Sequence, residues 1–410
     1  MPRILRILNR FNLGGPTYNA AYLTKYLSSD FETLLVGGPN DSSEKNSEYI
    51  VKQLGVEPYI IPSMRREISP VQDFRAFQEI KKIIRQFRPH IVHTHASKAG
   101  ALGRHAAISM NVPITVHTFH GHVFDSYFNP LKTKFYKKVE QILARQTSKI
   151  IAISESQKYD LSLKYNICSE EKISVIPLGF DLERFAENRG EKRMLFRQRY
   201  KIADDEIAIG IIGRLVPIKN HSMFLEAIDV LRKKTSRKIR AFIIGDGESR
   251  ELIKEKAINL GIDFVNGVGE YHPATLTFTS WLTEMDYVNA GLDIVALTSL
   301  NEGTPVSLIE AQASGTPVVT TRVGGIENVV VPNQTAFLAE KGDVIDFTEK
   351  ILTLVENDNL RAEFSSRGWT QVGEKFHFSR LISDTEQLYK GLLREKSSHI
   401  PDLQLQPVIC

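Results

Sequence analysis

Short apolar runs alternate with amphipathic stretches along the first half of the chain. The runs that read as strands cover residues 4–8, 33–36, 91–95, 114–118, 150–153 and 173–176, and helical periodicity lies between them at 20–27, 71–87 and 98–109. Strands that alternate with helices predict a mostly parallel sheet with helices on both faces. The first half is therefore expected to form one doubly wound α/β domain.

The second half repeats this scheme, with candidate strands at 208–212, 240–244, 293–297 and 317–321. Because 410 residues exceed what one hydrophobic core usually fills, the pattern predicts two Rossmann-like domains that face each other across a cleft. The first should cover 1–180 and the second 200–375, joined by a charged linker near 180–200. A last helix over 376–393 is able to pack back on the first domain, and 397–410 read as a poorly ordered tail.

The composition is ordinary for a soluble protein, at 42% apolar and 24% charged residues. The first ten residues carry Arg3, Arg6 and Arg10 among single apolar residues, unlike a secretory signal, and no apolar run approaches the ~20 residues of a membrane span. Cys168 and Cys410 are too few for a disulfide framework or a cysteine zinc site. The sequence therefore predicts a cytoplasmic protein.

Charge is unevenly distributed along the chain. Residues 1–180 contain 24 Lys and Arg against 15 Asp and Glu, which leaves 28 against 33 for the remainder. This excess of positive charge favours an anionic partner for the first domain. The segment 131–149 sets Lys132, Lys134, Lys137, Lys138 and Arg145 among apolar residues at helical spacing. It fits a peripheral contact with an anionic membrane on the inner face, and it fits core packing equally well.

Ligands of open parallel sheets bind at the carboxyl ends of the strands, so the strand-to-helix loops are the candidate sites. After the first strand, Gly14 and Gly15 precede a helical pattern and allow an anion to approach the helix start. The spacing matches neither the dinucleotide glycine fingerprint nor the phosphate loop of ATPases. This disfavours an NAD-dependent dehydrogenase, and a glycine turn needed only for packing remains open.

In the second half, Arg214 and Lys219 share one loop that ends at a helix start, with Asn220 as the expected N-cap. Arginine binds two oxygens at once and lysine supplies a mobile point charge. Two cations at a helix N-terminus therefore suit a diphosphate.

The most informative segment is 298–310. Thr304 is the expected N-cap and Pro305 the first helical residue, which places Glu302 in the loop and Glu310 in the second helical turn. The backbone amides of Gly303, Thr304 and Val306 would point at a ligand between these two carboxylates. Amides suit phosphate and carboxylates suit hydroxyl groups, which together indicate a nucleoside diphosphate sugar. Either glutamate alone would be explained as an acid that stabilises the helix start or as a solvated helix residue.

Together these loops resemble the retaining glycosyltransferases of family 4, which have the GT-B fold. The resemblance is carried by Gly14-Gly15, by 118–122 with His120, by Gly213-Arg214 with Lys219-Asn220, and by Glu302-Gly303-Thr304-Pro305-Val306 with Glu310 and 315–319. It covers nearly the whole chain. The two glutamates with seven residues between them form its most specific part.

The resemblance implies a role for each of these residues. Arg214 and Lys219 should neutralise the donor diphosphate, Glu302 and His120 should contact the transferred sugar, Glu310 should hold the ribose, Gly14 and Gly15 should approach the phosphates, and Ser280 and Trp281 should contact the base. The expected donor is a nucleoside diphosphate sugar, with UDP favoured, and the expected acceptor is a glycan or a lipid-linked glycan of bacterial polysaccharide synthesis. Nucleic acid is not an expected partner.

Five histidines are candidate ligands for a metal ion. His117, His120 and His122 lie near one strand end and His93 and His95 near another, a spacing that could ligate a metal. Carboxylate partners and an Asp-x-Asp motif are lacking, so no essential metal or other cofactor is expected. Transfer would then follow the front-face mechanism of such families. A sugar-nucleotide 2-epimerase and a non-catalytic nucleotide-sugar binding protein remain as alternatives.

Overall fold

A computed structural model describes residues 1–11, 15–39, 51–52, 54–65, 67–121, 130–267 and 274–397. The chain divides into two compact units. Unit 1 comprises Met1–Phe180 with Phe376–Cys410, and unit 2 comprises Asp181–Lys375. Residues 398–410 of the predicted tail, Gly14 and His122 lie outside the described residues, whereas Ser397 is still helical.

Unit 1 contains a seven-stranded parallel sheet. Its strands are β1 (Arg3–Arg10), β2 (Glu32–Gly38), β3 (Tyr59–Ile60), β4 (Ile91–His95), β5 (Ile114–Phe119), β6 (Lys149–Ala152) and β7 (Ile173–Val175), in the order β3-β2-β1-β4-β5-β6-β7. The central strands β4 and β5 are buried along their whole length because helices cover the sheet on each side, as is usual for parallel strands. The strand order reverses between β1 and β4, so a crevice is expected at their carboxyl ends.

The α-helices of unit 1 whose bounds lie within the described residues and that precede unit 2 are α1 (Gly15–Lys25), α2 (Pro70–Phe87), α3 (Ser97–Ser109), α4 (Pro130–Gln146) and α5 (Glu155–Tyr159). Helix α2 shows how the sequence forms them. Pro70 occupies its first turn, Ala76, Ile80 and Ile84 are buried on one face, and Arg88 ends it in the left-handed conformation.

Unit 2 contains a second parallel sheet of seven strands. These are β8 (Glu206–Ile212), β9 (Lys238–Ile244), β10 (Phe264–Asn266), β11 (Leu276–Ser280), β12 (Ile294–Leu297), β13 (Val318–Thr321) and β14 (Ala336–Ala339), in the order β10-β11-β9-β8-β12-β13-β14. The order reverses between β8 and β12. One sheet face packs Ile209 and Ile211 in a core with Phe224 and Ile228.

Helices of unit 2 are α6 (Glu183–Ala186), α7 (Arg189–Arg199), α8 (His221–Lys234), α9 (Arg250–Asn259), α10 (Met285–Gly291), α11 (Val306–Ala313), α12 (Val344–Glu356) and α13 (Asp358–Phe376). The first two correct the prediction of a linker near 180–200. Phe196 of α7 packs on Phe242 of β9, and Arg197 forms an ion pair with Asp293, the residue directly before β12, 3.1 Å apart. The charges that suggested a linker are therefore ion-pair partners within a folded unit.

The last helix, α14 (Phe378–Ser397), returns to unit 1. It contributes Leu381, Tyr389 and Leu393 to a buried cluster that also contains Ile4 of β1 and Ile91 of β4. Unit 1 thus depends on a segment that follows unit 2 in the sequence. Among the helices that the structure describes, none is long and apolar enough to cross a membrane.

Candidate active site

The clearest cluster of sequence-predicted residues lies in unit 2, where the sheet reverses its strand order. The loop after β8 carries Gly213, Arg214 and Lys219, and the loop after β12 carries Glu302. Because β8 and β12 are neighbouring parallel strands, both loops leave the same edge of the sheet. The structure therefore brings together residues that are more than 80 positions apart.

Lys219 and Glu302 form an ion pair at the centre of this cluster. The Lys219 Nζ lies 2.5 Å from Oε1 of Glu302, and Ser299 donates its hydroxyl to the same oxygen at 2.6 Å. Their side chains are 20% and 11% exposed, so a ligand can still reach them. We call this arrangement the Lys219–Glu302 pair.

The two loops are fixed to each other through Thr298, the first residue after β12. Its buried hydroxyl lies 3.0 Å from the carbonyl oxygen of Lys219 and 2.9 Å from that of Asn220. The Leu300 amide donates to the carbonyl of Ile218 at 2.8 Å. The Thr298 hydroxyl and the Leu300 amide therefore hold the two loops together and keep Lys219 beside Glu302.

A third loop, after β13, packs its backbone against the backbone of the Glu302 loop. The amide of Gly325 donates to the carbonyl of Glu302 at 2.9 Å. A Cβ at Gly324 would lie 2.0 Å from the Glu302 carbonyl oxygen, and one at Gly325 would lie 1.8 Å from that of Gly303. Only glycine permits this approach of two backbones.

The helix after Glu302 begins one residue later than predicted. Pro305 is the N-cap in extended conformation and α11 starts at Val306, whereas Thr304 was expected to cap it. Proline donates no backbone hydrogen bond, so it fits the half-helical cap position. The backbone N–H groups of Gly303 and Thr304 donate to no described residue, and the space beside Gly303 is open. These amides, with that of Val306 at the helix start, are placed to bind an anion.

Glu310 lies in the second turn of α11, as predicted, and is half-buried. Burial raises the pKa of Glu310 to about 7, since removal of water disfavours the charged form. The positive charge of Arg184 acts in the opposite direction, and the negative charge of Asp286 raises the pKa further. Its protonation is thus sensitive to pH near neutrality.

Arg214 is exposed, and its guanidinium has no partner among the residues that the structure describes. Lys219 bends over Gly213, whose Cβ would lie 3.5 Å from the Lys219 Cε. One cation of the loop is therefore held by a carboxylate and the other is available to a ligand.

Ser280 and Trp281 lie at the carboxyl end of β11, two strands from β8. Ser280 adopts a left-handed conformation, with φ of 59°, and its hydroxyl donates to Asp246 Oδ2 at 2.7 Å. Its hydroxyl is therefore already engaged within the protein, while Trp281 is half-buried at the same edge. Strand β11 was not predicted from the sequence.

In unit 1, His120 follows β5 directly and accompanies His95, the last residue of β4. The two rings share a hydrogen bond of 2.9 Å between His95 Nδ1 and His120 Nε2. Gly15 is the first residue of α1 and packs against Leu178, where a Cβ would lie 3.0 Å from the Leu178 side chain. The structure thus gives Gly15 a packing role, and His120 a histidine neighbour.

Histidines His93 and His117 are engaged in the core of unit 1. His93 bonds to Tyr389 and Thr118, and His117 Nδ1 lies 2.8 Å from the hydroxyl of Thr94. In the described part of the chain, no group of three His, Cys, Asp or Glu residues is arranged to hold a metal ion.

Three features of the unit 2 cluster were missed by sequence reasoning. Ser299 and the Gly324-Gly325 turn support Glu302, and buried His221 begins α8 beside Lys219. Burial, with the charge of Lys219 adding to it, lowers the pKa of His221 to about 4, so this residue is neutral. The pair Gly324-Gly325 follows β13 in the same way as Gly14-Gly15 follows the first strand, so the sequence could have predicted a close backbone approach there as well.

Two family models match successive parts of the chain. The model described as Glycosyltransferase Family 4 matches residues 13–184, and the model described as Glycosyl transferases group 1 matches residues 192–370. Together they cover most of both units.

Individual proteins with known names are also similar. The chain is 29% identical over 345 residues to the Escherichia coli UDP-Gal:alpha-D-GlcNAc-diphosphoundecaprenol alpha-1,3-galactosyltransferase, covering 83% of this chain and 85% of that protein. It is 27% identical to the Staphylococcus aureus capsular polysaccharide biosynthesis glycosyltransferase CapM, covering 82% and 86%. Among solved structures, Anabaena Alr3699/HepE in complex with UDP matches with a TM-score of 0.78 at 18% identity, covering 95% of this chain and 100% of that one.

Proposed function

The chain belongs to the glycosyltransferases of family 4 and has their GT-B fold, and from this premise we propose its donor, acceptor and mechanism. The donor is a UDP-sugar and the acceptor a hydroxyl of a lipid-linked glycan. The sugar is transferred with retention of its anomeric configuration and without an essential metal ion. The observation that carries this proposal is the Lys219–Glu302 pair, with Arg214 on the same loop and no partner for its guanidinium among the described residues.

These three residues supply the groups that a nucleoside diphosphate sugar needs. When the diphosphate binds, Lys219 Nζ exchanges the Glu302 carboxylate for phosphate oxygens, and Arg214 adds a second cation. Glu302, released from Lys219, then accepts hydrogen bonds from sugar hydroxyls. The amides of Gly303 and Thr304 complete the anion site. Donor binding thus converts an internal ion pair into two ligand contacts.

The same contacts favour departure of the diphosphate. The bond between the sugar C1 and the phosphate oxygen breaks, and the charge that develops on that oxygen is stabilised by Arg214, Lys219 and the helix amides. The acceptor oxygen bonds to C1 on the same face, and its proton passes to the departing phosphate. Configuration is retained without a protein nucleophile.

Two further groups recognise the nucleoside in this proposal. Glu310 accepts hydrogen bonds from the ribose hydroxyls, and the edge at Ser280 and Trp281 receives the base. UDP is supported by the solved relative in complex with UDP and by the UDP-Gal donor in the name of the Escherichia coli relative. The lipid-linked acceptor is supported by that same name.

A thermal-unfolding panel of UDP, GDP, ADP and UDP-sugars tests the donor. A ligand that binds only the folded state raises the unfolding temperature, so UDP should raise it more than GDP or ADP. Arg214→Ala should abolish the shift, whereas Lys341→Ala, an exposed lysine of the same unit, should preserve it. No shift with any nucleotide would contradict the proposal. If a sugar nucleotide raises the unfolding temperature and is then released in epimerised form, the protein is an epimerase instead.

We also propose that the enzyme works at the inner membrane face from the cytoplasm, with helix α4 as its contact. Phe135 and Ile142 are 65% and 50% exposed and share one helix face with the exposed Lys138 and Arg145. Glu140 lies on the opposite face of the helix, where it is buried and forms an ion pair with Arg104, 2.5 Å apart. Apolar residues between cations suit a surface of anionic lipid.

Co-sedimentation with phosphatidylglycerol vesicles tests this contact. Phe135→Ser with Ile142→Ser should reduce the bound fraction severalfold. The matched control is Leu252→Ser with Ile258→Ser in unit 2, at positions that are 68% and 65% exposed, and it should bind as wild type. Equal binding of both variants would refute the contact.

A further inference from the structure

The start of helix α2 and the residues before it expose three large apolar side chains. Ile68, Val71 and Phe74 are 69%, 62% and 63% exposed. They are three residues apart, so Val71 and Phe74 lie on one helix face, and Ile68 stands just before the helix start. Single exposed apolar residues are common on soluble proteins, but a group of them is typical of a surface that contacts another molecule.

A lysine of the next helix fixes the backbone that carries this apolar group. Lys98 lies in the first turn of α3, and its Nζ is 2.5 Å from Oδ1 of Asp73, the residue before Phe74. The same Nζ donates to the carbonyl oxygens of Arg65, at 2.9 Å, and Glu67. The Lys98 side chain is only 15% exposed, so water competes little for these contacts. A fixed segment therefore holds the apolar group out to solvent.

The same contacts locate the apolar group within unit 1. Lys98 follows His95, the last residue of β4, by three positions, so the start of α2 lies at the carboxyl edge of the sheet. Ligands of parallel sheets bind at that edge. The apolar group is therefore on the side of unit 1 where a ligand is expected.

Beyond the apolar group, the exposed face of α2 is basic. The exposed residues of this helix, which the structure describes in full, include no acid and are Pro70, Val71, Phe74, Arg75, Gln78, Lys82, Arg85 and Gln86. Of the two carboxylates, Asp73 pairs with Lys98. Glu79 accepts a hydrogen bond from Tyr59 at 2.8 Å and lies 3.9 Å from Lys82. Apolar residues followed by cations match a uniformly anionic lipid surface.

Helices α2 and α4 cover the same face of the sheet. Ile80 of α2 shares a buried cluster with Val92 of β4 and Ala106 of α3. Arg104 of α3 in turn forms its buried ion pair with Glu140 of α4. Helix α3 thus lies between the two, and the exposed faces of α2 and α4 are on the same side of unit 1. One extended surface can contact both.

We propose that the exposed face of α2 is a second membrane contact, in which Ile68, Val71 and Phe74 enter an anionic lipid surface and the cations of the helix bind lipid phosphates. This contact places the carboxyl edge of the unit 1 sheet beside the membrane, where a lipid-linked acceptor presents its glycan. The use of that position by an acceptor rests on the proposed function, whereas lipid binding by α2 does not.

Co-sedimentation of the full chain with lipid vesicles tests this contact. Val71→Ser with Phe74→Ser should reduce the fraction bound to phosphatidylglycerol vesicles severalfold, with no change in unfolding temperature because both side chains are exposed. The matched control Leu252→Ser with Ile258→Ser should bind as wild type. Phosphatidylcholine vesicles should retain little of any of these proteins. Wild-type binding by the α2 variant, or equal binding to the two lipids, overturns the proposal.

A tryptophan probe tests whether the apolar group enters the lipid. In Phe74→Trp, phosphatidylglycerol vesicles should shift the emission of the new tryptophan to shorter wavelength, and brominated phospholipid should quench it. Ile258→Trp in unit 2 should show neither change. The wild-type spectrum is subtracted, because Trp281 and Trp369 also emit. An unchanged emission at position 74 on vesicles that bind the protein overturns the proposal.

The two membrane contacts and the donor site can fail separately in these measurements. If only the α4 variant loses vesicle binding, the α2 contact is refuted and the α4 contact stands. If the wild-type protein binds no vesicles, both contacts are refuted, while the rise in unfolding temperature with UDP still tests the donor. If light scattering shows that the α2 variant abolishes self-association without a change in vesicle binding, α2 binds a second copy of the chain and the proposal is refuted.

Discussion

At the scale of single residues, Glu310 links nucleotide binding to pH. Its pKa is raised from 4.5 to about 7, so the folded state binds its proton more tightly than the unfolded state. Stability from this proton is complete below pH 4.5 and is lost as pH rises through 7. Glu310→Gln should therefore match wild type near pH 5 and exceed its unfolding free energy by roughly 1–3 kcal/mol at pH 8. Urea unfolding at both pH values measures this difference.

Ligand binding should show the opposite trend with pH. A ribose diol donates to the ionised carboxylate, so UDP affinity should rise from pH 6 to pH 8 in wild type. In Glu310→Gln the pH dependence should flatten. Calorimetric titration of UDP at these pH values checks it, and a wild-type affinity that falls with pH would contradict a role for the carboxylate.

Replacement of Arg214 and replacement of Lys219 should both lower kcat, but only the second should lower the free energy of unfolding. Arg214 has no partner among the described residues, so Arg214→Ala should lower kcat roughly 100-fold or more without loss of stability. Lys219→Ala should lower kcat similarly and also destabilise by about 1–3 kcal/mol, because Glu302 at 11% exposure loses its cation. Kinetics and urea unfolding of both variants separate the two effects. Near-normal turnover in both would refute the donor site.

The sequence could identify those site residues whose positions follow from their spacing along the chain. Glu302 and Glu310 lie on one strand-to-helix turn, so local rules suffice to place them. The pairing of Lys219 with Glu302 could not be read directly, because it depends on β8 and β12 being neighbours. His95 and His120 were noticed, but their shared hydrogen bond depends on the register of β4 with β5.

At the scale of elements, the loop after β13 controls the position of Glu302. Gly325→Ala would place a Cβ 1.8 Å from the Gly303 carbonyl oxygen, so the loop must move. We expect a loss of about 2–4 kcal/mol and a large loss of UDP affinity, although Gly325 has no proposed ligand contact. Gly190→Ala in α7, where the added Cβ meets nothing, should be neutral or slightly stabilising. Thermal unfolding and UDP titration compare the two variants.

The ten predicted strands are all present, and four short ones, β3, β10, β11 and β14, were missed. The predicted strands are apolar over most of their length because they are buried between helices. The missed strands are two to five residues long, and β10 and β3 lie at sheet edges, where an apolar pattern is weak. The helices at 183–186 and 189–199 were missed because their charges, which form ion pairs in the fold, suggested a solvated linker.

At the scale of the whole molecule, each unit has a core of its own, and α14 belongs to that of unit 1. Leu393→Ala should therefore cost about 2–5 kcal/mol in unit 1. Amide hydrogen exchange should become faster in β1 and β4 and remain unchanged in β8 and β12. Equal acceleration in both sheets would contradict separate cores.

The central claim is that the chain moves a sugar from a UDP-sugar to a lipid-linked glycan. Mass spectrometry of a diphosphoundecaprenol-linked acceptor, incubated with the enzyme, EDTA and a panel of UDP-sugars, tests it most directly. The account predicts that one UDP-sugar adds one sugar mass to the acceptor, that UDP is released in equal amount, and that Arg214→Ala slows both roughly 100-fold or more. An acceptor that keeps its mass with every UDP-sugar, while the donor binds the enzyme, would contradict it.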